Sequence, residues 1–366
     1  FMFNIFQETS IGIDIADHSI EVVELARQGS GYSVQKIGRV ELRSGIVERG
    51  VIKDTIELAR LVKKVFEIAM ITPTAARAVV YGLPESKVYI HFAKLPKHEK
   101  RERNAYIIQE VRRAIPIDAA DLIYAYRIVE DSGNFVSVMI VAASKAVIEQ
   151  WQSFFLSCGI FVAEIDIETF AVARGLFGGR PQEGAMAMVL DIGAVTSTIS
   201  VIGHTGLFYS HSIPVGGESL TQAIAKDIKS SVEDAEDRKR KRGFMHTSED
   251  ILLPLIKAFE PIVAECKLAN SNSYGVSGMR ASELVCVGGS ARMPGLVEYL
   301  ALNLQIPVKI GSPAFKDTFP KVVNVKNDSL LYIEAVGLAL GHFYNDDPVF
   351  EAAHQGHPFA KMFPWR

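Results

Sequence analysis

The chain has 366 residues, of which 48% are hydrophobic and 22% are charged, and its formal net charge is -3. This length predicts more than one domain, and the charge excludes a globally basic surface for nucleic acid. No apolar run reaches the ~18 residues of a membrane-spanning helix, and three widely spaced cysteines indicate neither a disulfide framework nor a metal site. Without a secretory signal pattern either, we expect a cytoplasmic protein.

The N-terminal part predicts a β-meander followed by a helix. Residues 10–28 contain "SIGIDIADHSIEVVELA", two apolar strands joined by a polar turn, and residues 32–42 supply a third strand. Apolar residues at helical spacing predict a helix over 53–70, and the β-branched stretch 77–84 predicts a further strand.

Residues 84–159 predict a compact unit of their own. A strand and a charged helix precede two strands that are joined by the hairpin turn "DSGN" at 131–134. A helix over 145–159 follows, with Gly159 at the position where a left-handed residue commonly ends a helix. The order β-α-β-β-α favours a small sheet packed on helices.

The second half repeats the plan of the first. After a strand and helix over 162–177, "DIGAVTST" at 191–198 opens another meander with an acidic strand end. Helices are predicted over 218–274, a strand, Gly-Gly turn and helix over 283–304, and a helix rich in small residues over 328–343. The last twenty residues have no predicted partner in the fold.

The two acidic strand ends are candidate sites for a phosphate and a cation. A glycine lets backbone approach a phosphate, turn amides and hydroxyls can donate to it, and an aspartate can hold hydrated Mg²⁺. A strand-end aspartate is also a common turn former, so one copy alone is weak support. The residues concerned are Asp14 and Ser19 in the first copy and Asp191, Gly193, Thr196 and Ser197 in the second.

Two further stretches could hold a nucleoside. "VGGSARMPG" at 287–295 would place backbone amides at a helix N-terminus. Its two glycines, which have no side chain, would let adenine or ribose lie against the backbone. The alternative is a simple tight turn between strand and helix. Glu236 and Lys239 lie one helical turn apart, so a carboxylate could bind ribose while Lys239 or Arg240 covers the adenine. A solvated charged face is the alternative interpretation.

These elements, in this order, resemble the actin-like ATPase superfamily, and within it the PilM family of type IV pilus assembly proteins. The more specific cues are "IGIDIADHSIEVVELAR", "GLPESKVYIHFAKLP", "DIETFAVAR", "IPVGGESLTQAIA" and "VGGSARMPGLVEYL". The resemblance implies an α/β, actin-like (ribonuclease H-like) bilobed fold with duplicated β-meander/helix domains and an inserted β-α-β-β-α subdomain 1C, of the SHS2 type. The implied boundaries are 1–83 and 160–185 for subdomain 1A, 84–159 for 1C, 186–327 for lobe 2 with helical 2B at about 214–280, 328–345 for a closing helix and 346–366 for a tail.

The same resemblance implies that ATP or ADP binds with Mg²⁺ between the lobes. Asp14 and Asp191 would hold the metal, through water, and Glu168 or Asp166 would orient the attacking water if hydrolysis occurs. The implied nucleotide-binding residues are Ser19, Asp191, Gly193, Thr196, Ser197, Gly216, Gly217, Glu236, Lys239, Arg240, Gly288, Gly289, Ser290 and Arg292.

A membrane-protein partner is implied as well. Members of the family dock the N-terminal cytoplasmic peptide of the inner-membrane protein PilN between subdomains 1A and 1C. We therefore expect a protein peripheral to the cytoplasmic face of the inner membrane, linked through PilN to a PilO-containing complex and to the pilus motor ATPases.

The first loop departs from the family pattern, which favours Gly followed by serines. Ala16, Asp17, His18 and Glu21 stand there, so we expect crowding and like-charge repulsion at a phosphate and an ATPase activity that is weak or absent.

Two related classes remain open as alternatives. One is an FtsA-like division protein, which would end in an amphipathic membrane helix. Pro358 and Pro364 disfavour that helix here and favour a partner-binding or disordered tail. The other is an actin-like platform protein of a type II secretion system, a class that normally continues into a transmembrane helix.

Overall fold

A computed structural model describes residues 8–29, 31–72, 78–97, 100–179, 181, 183–204, 206–245, 249–320, 328–343 and 351–352. The chain forms two compact units: unit 1 comprises 1–179 with 312–366, and unit 2 comprises 180–311. The sequence places the start of lobe 2 at 186 and its end at 327, and those subdomain boundaries stay predictions.

Unit 1 begins with a meander and then forms the insert. Its elements are β1 (Thr9–Ile15), β2 (Ser19–Gln28), β3 (Gly31–Glu41), β4 (Val47–Glu48), β5 (Val51–Ile52), α1 (Thr55–Ile68), β6 (Ala78–Leu83), β7 (Val88–Pro96), α2 (Lys100–Ala114), β8 (Leu122–Asp131), β9 (Phe135–Ser144), α3 (Lys145–Ser157), β10 (Val162–Ile167) and α4 (Glu168–Phe177).

Unit 2 follows, and the chain then returns to unit 1. Unit 2 contains β11 (Met186–Ile192), β12 (Ser197–Gly203), β13 (Gly206–Ile213), α5 (Gly217–Ile228), α6 (Val232–Arg242), α7 (Glu249–Ser277), β14 (Glu283–Val287), α8 (Leu296–Leu304) and β15 (Val308–Ile310). The returning segment contributes α9 (Ile333–Gly341) and β16 (Glu351–Ala352). Short 3₁₀ helices lie at 85–87, 119–121, 289–292, 316–318 and 329–332.

The main sheets of the two units have the same topology. Unit 1 has the order β10-β6-β1-β2-β3 and unit 2 the order β15-β14-β11-β12-β13. In each, an antiparallel meander is extended by two parallel strands on the side of its first strand. The predicted duplication is therefore confirmed, and Asp14 and Asp191 occupy equivalent positions, second from the end of β1 and of β11.

The first strand of unit 1 shows why this sheet is covered on both faces. Ile11, Ile13 and Ile15 alternate along β1 and pack in the core that includes α1 and α3. Gly12 faces the other way, where a Cβ would lie 2.0 Å from the carbonyl oxygen of Ala335 in α9. The absence of a side chain at Gly12 therefore allows α9 to pack directly on the strand backbone.

The insert has the predicted β-α-β-β-α order. Its sheet, β16-β8-β9-β7, packs α2 over a separate core that includes Ile107, Val111 and Val138. Its last helix, α3, packs instead on the main sheet of unit 1, where Trp151 contacts Tyr81 at a ring-centroid distance of 4.7 Å. Gly159 ends this helix with a φ of +73°, as its position after the apolar stripe predicts.

The tail has a partner that sequence reasoning missed. Residues 351–352 form β16, which pairs antiparallel with β8, whereas the N-terminal 1–7 and the tail stretches 346–350 and 353–366 lie outside the described residues. Across the described parts of the chain, no helix has both the length and the hydropathy that a bilayer span requires.

Candidate functional site

In unit 2, the turn after β11 is tight. The Gly193 N–H donates to the Thr196 carbonyl oxygen at 3.0 Å, and a Cβ on Gly193 would lie 3.0 Å from the same oxygen. The Ser197 hydroxyl donates to the carbonyl oxygen of Val215 at 2.6 Å, so it anchors the start of β12 to the segment before α5. Thr196 stays half-buried in the turn. A side chain at position 193 would press against the Thr196 carbonyl, so this turn favours glycine.

The N-terminus of α5 sits on this turn. The Gly217 N–H donates to Gly193 O at 2.9 Å, and the next amide, of Glu218, donates to Ala194 O at 2.8 Å. A Cβ on Gly216, the residue that precedes the helix, would lie 2.5 Å from Ala194 O. Two backbone amides in the first turn of α5 therefore donate to the turn after β11, and these bonds hold the helix and the turn together.

The loop after β14 meets both of these segments. Gly288 has a φ of +83°, and a Cβ there would lie 2.4 Å from Asp191 Oδ1. A Cβ on Gly217 would lie 2.5 Å from the Ser290 hydroxyl. Gly289 is exposed and a Cβ there would meet no atom within 4 Å, so its backbone is open to a ligand. Three loops that are distant in sequence converge within unit 2, with Arg292 exposed beside them.

Lys239 is buried, with only 4% of its side chain exposed. Its ammonium donates to Gly217 O at 2.7 Å and to the Thr221 hydroxyl at 2.8 Å, and lies 2.7 Å from Glu236 Oε2. These contacts match the three protons of a lysine ammonium. Lys239 thus ties α6 to the start of α5, and a direct contact with ribose or adenine stays a prediction.

Glu236 is held ionised by its neighbours. Burial raises its pKa, but hydrogen bonds from Lys239 and Thr221 outweigh burial and lower the pKa to about 2. Arg240 is exposed and its Nε lies 2.7 Å from Glu236 Oε1. The carboxylate has two cationic neighbours, and its role toward ribose also stays a prediction.

In unit 1, the loop between β1 and β2 is a tight hairpin. The Ala16 N–H donates to the carbonyl oxygen of Ser19 at 3.0 Å. Ala16 is not among the residues with positive φ, so this loop takes backbone angles open to alanine and does not need a glycine. Asp17 and His18 are half-buried within it. The expected crowding of a phosphate by Ala16 stays a prediction.

Glu21 does not belong to that loop, contrary to the sequence interpretation. It lies inside β2, is 3% exposed, and accepts a hydrogen bond from Arg39 Nε at 2.7 Å. Burial raises the pKa of Glu21 to about 7, against the opposing effect of Arg39. Its charge is matched inside the sheet, so Asp17 is the one loop carboxylate left from the predicted pair.

Asp14 belongs to a cluster of three carboxylates. Oxygens of Asp14, Glu168 and Glu334 lie within 4.8 Å of one another. Glu168 opens α4 and accepts a hydrogen bond from the Glu85 N–H at 2.9 Å, whereas Glu334 comes from the first turn of α9. Carboxylate oxygens at this spacing fit a hard cation such as Mg²⁺ and otherwise repel one another. Sequence reasoning found Asp14 and Glu168 but missed Glu334.

Unit 1 also contains an apolar groove between its main sheet and the insert. Its cavity volume is about 10 Å³, the space of roughly one water molecule, so it is a shallow apolar depression. We call this the insert groove. Its lining residues are Leu83, Val88, Ile123, Tyr124, Ala125, Val141, Ala142, Ala143 and Ile167.

A family model matches nearly the whole chain, and solved structures of more than one family share its fold. The sequence model described as type IV pilus assembly protein PilM matches residues 12–343. The structure titled PilM-PilN type IV pilus biogenesis complex is similar with a TM-score of 0.73 and 18% identity, covering 90% of this chain and 97% of that one. MreB5 of Spiroplasma citri, bound to AMPPNP, is similar with a TM-score of 0.52 and 16% identity, covering 90% and 94%.

Among curated proteins, the chain is similar over part of its length to a cell division protein. FtsA of Bacillus subtilis (strain 168) is 24% identical over 198 residues, which are 48% of this chain and 44% of FtsA. The match therefore spans less than half of that relative. The structural neighbours share the actin-like fold, which confirms the predicted fold class.

Proposed function

Because the chain belongs to the PilM family of type IV pilus assembly proteins, we propose that it is a nucleotide-binding scaffold that docks a peptide from a PilN-like membrane protein. The observation that carries the docking proposal is the insert groove. It is apolar and is formed by the ends of β6 and β10 on one side and the strands of the insert on the other. An extended peptide binds such a surface by placing alternate apolar side chains in it.

Peptide docking is tested with a labelled N-terminal cytoplasmic peptide of the PilN-like protein from the same organism. We expect binding to the wild-type chain and a loss of tenfold or more in Val88→Glu, because a carboxylate would enter the apolar lining. Leu156→Glu is the matched control, since Leu156 is an apolar residue of unit 1 that is 64% exposed. Equal weakening by both variants, or none by Val88→Glu, would reject the groove as the docking site.

The nucleotide part of the proposal rests on the three converging loops of unit 2. They contain Asp191, the Gly193 turn, the start of α5 and the open backbone at Gly289. A neighbour of the same fold is described as bound to AMPPNP, which supports ATP or ADP as the ligand. We further propose Thr196, Ser290 and Arg292 as its polar contacts. Ser197, predicted as a fourth contact, is fully buried and donates to Val215 O, so it supports the turn instead.

Calorimetric titration with ATP·Mg²⁺ tests this part. Wild-type protein is expected to bind with a micromolar dissociation constant and Asp191→Ala to lose binding, whereas Asp237→Ala, an exposed substitution on α6, should bind normally. If the wild-type protein binds neither ATP nor ADP, the nucleotide part of the proposal is rejected and the peptide-docking part remains.

For the metal, we propose that Asp14 and Asp191 hold Mg²⁺ through water and that Glu168 orients water in any hydrolysis. Asp14 and Glu168 already share a carboxylate cluster, and Glu334 joins them there. We propose slow or absent turnover because Asp17 and His18 replace the small polar residues of the family pattern. A steady-state ATPase assay tests this, with rapid turnover as the contradicting result.

Through its partner the protein would lie at the cytoplasmic face of the inner membrane, with a PilO-linked complex and the pilus motor ATPases as further contacts.

An FtsA-like role is the second candidate, favoured by the sequence similarity to FtsA. Flotation of the full chain with anionic vesicles separates the two: direct membrane binding without a partner favours the FtsA-like role.

A further inference from the structure

The insert groove and the carboxylate Glu168 are joined by one short connection in unit 1. Strand β6 ends at Leu83 and β7 begins at Val88, and both of these residues line the groove. The β6–β7 connection between them consists of Pro84 and a 3₁₀ turn that begins at Glu85. A partner that packs on the groove would therefore contact both ends of this connection.

Glu85 bonds the start of α4 in two ways. Its N–H donates to Glu168 Oε2 at 2.9 Å, and its carboxylate accepts a hydrogen bond from the Thr169 hydroxyl. Ile167, the residue before Glu168, lines the groove and pairs with Leu83 in the main sheet of unit 1. Both partners of the Glu85–Glu168 bond thus lie within two residues of the groove lining.

The other side of Glu85 is bonded to the groove itself. The Val88 N–H donates to the Glu85 carbonyl oxygen, and the Lys87 N–H donates to Pro84 O at 2.8 Å. These bonds make the connection a closed turn. Glu85 is therefore hydrogen-bonded through its carbonyl to a groove residue and through its N–H to Glu168.

Strand β6 also reaches a second carboxylate of the cluster. A Cβ on Gly82 would lie 2.9 Å from Glu334 Oε1, so this carboxylate packs against the bare backbone of the strand. The end of β6 and the residue Glu85 beyond it therefore contact two of the three clustered carboxylates, those of Glu334 and Glu168. The position of this segment sets the surroundings of both.

We propose that Glu85 is a positioning residue that transmits occupancy of the insert groove to Glu168. This inference rests on the proposed function, which gives the groove a peptide ligand and gives Glu168 a water molecule to orient. A peptide that packs on Leu83, Val88 and Ile167 holds both flanks of the Glu85–Glu168 bond and thereby fixes the Glu168 carboxylate. Because a carboxylate orients water only when it is held within hydrogen-bond reach, docking should raise kcat for ATP hydrolysis.

Two substitutions at Glu85 separate its bonds. Glu85→Ala keeps the N–H and removes only the carboxylate that accepts from Thr169. Glu85→Pro removes the N–H as well. The site accepts proline, because a 3₁₀ residue has a φ open to proline and Pro84 has the extended ψ of +136° that suits a residue before proline. Thermal melting verifies that both variants are folded.

Amide hydrogen exchange in α4 is the first measurement and needs no nucleotide. The PilN-like peptide, at concentrations that saturate each variant, should slow exchange in α4 about threefold or more in the wild type and in Glu85→Ala. It should leave exchange in α4 unchanged in Glu85→Pro. A merely structural role of Glu85 would alter the melting temperature without altering this response to the peptide.

Steady-state ATPase kinetics are the second measurement. The peptide should raise kcat about threefold or more in the wild type and in Glu85→Ala, with KM within about twofold. Glu85→Pro should lose this increase, because its Glu168 carboxylate no longer has the donor that connects it to the groove.

Peptide that binds the wild type without slowing exchange in α4, or that slows it equally in Glu85→Pro, overturns the inference while the proposed docking stands. A measurable kcat that the bound peptide leaves unchanged also overturns it. If the peptide does not bind, the proposed docking fails and the inference fails with it. If the wild type has no measurable turnover, the proposed role of Glu168 in hydrolysis fails, and exchange in α4 alone decides whether Glu85 transmits groove occupancy.

Discussion

At the scale of single residues, Gly288 carries the sharpest constraint in unit 2. Its φ of +83° and ψ of +166° lie in a region used almost only by glycine, and a Cβ would lie 2.4 Å from Asp191 Oδ1. Gly288→Ala should lower the free energy of unfolding by about 2–4 kcal/mol, since backbone strain adds to the clash. It should also weaken ATP binding, because Asp191 must move.

Denaturant unfolding and calorimetry measure these effects. Gly289→Ala is the matched control for stability, because the adjacent position has ordinary φ and nothing within 4 Å of a Cβ. Equal stability losses in the two variants would show that the contact with Asp191 does not matter.

Glu21 predicts a pH dependence of stability. Its pKa of about 7 in the folded protein lies above the ordinary value of 4.5. A raised pKa contributes stability that is fully present below pH 4.5 and is lost as the pH rises through about 7. The free energy of unfolding of the wild type, minus that of Glu21→Gln, should therefore decrease between pH 4.5 and pH 8. A pH-independent difference, in urea unfolding across this range, would contradict the assignment.

At the scale of elements, α6 is attached through one buried lysine. Lys239→Met should lower the free energy of unfolding by about 2–4 kcal/mol, because it removes a buried ammonium that bonds both Gly217 O and the Glu236 carboxylate. Lys241→Met on the same helix should cost less than about 0.5 kcal/mol, since Lys241 is 71% exposed and pairs with the exposed Asp237. The rate of amide hydrogen exchange in α6 should rise in Lys239→Met and stay unchanged in Lys241→Met. Comparable behaviour of the two variants would reject the structural role of Lys239.

The elements themselves could be predicted far better than their contacts. Alternating isoleucines in β1 and the glycine at 159 act locally, so periodicity and turn chemistry located β1 and the end of α3. Glu334 was missed because only the packing of α9 on β1 brings it to Asp14, from the far end of the chain. Burial of Lys239 was missed for a similar reason: a charged run predicts a solvated face unless a neighbouring helix terminus supplies acceptors.

At the scale of the whole molecule, the two proposed binding functions lie on different units. The insert groove belongs to unit 1, and the three converging loops belong to unit 2. Each unit has its own main sheet with buried strands, and the insert belongs to unit 1 alone. Substitutions that act locally on one site should therefore spare the other.

This separation predicts a double dissociation of the two activities. Val88→Glu should weaken peptide binding tenfold or more and leave the dissociation constant for ATP within about twofold of wild type. Asp191→Ala should abolish ATP binding and leave peptide binding, measured without nucleotide, within about twofold. Titrating each ligand against both variants in the full chain measures all four values. A change in both constants from either substitution would mean that the units are energetically coupled, and peptide affinity would then have to be measured at fixed nucleotide concentration, because coupling between two ligands is reciprocal.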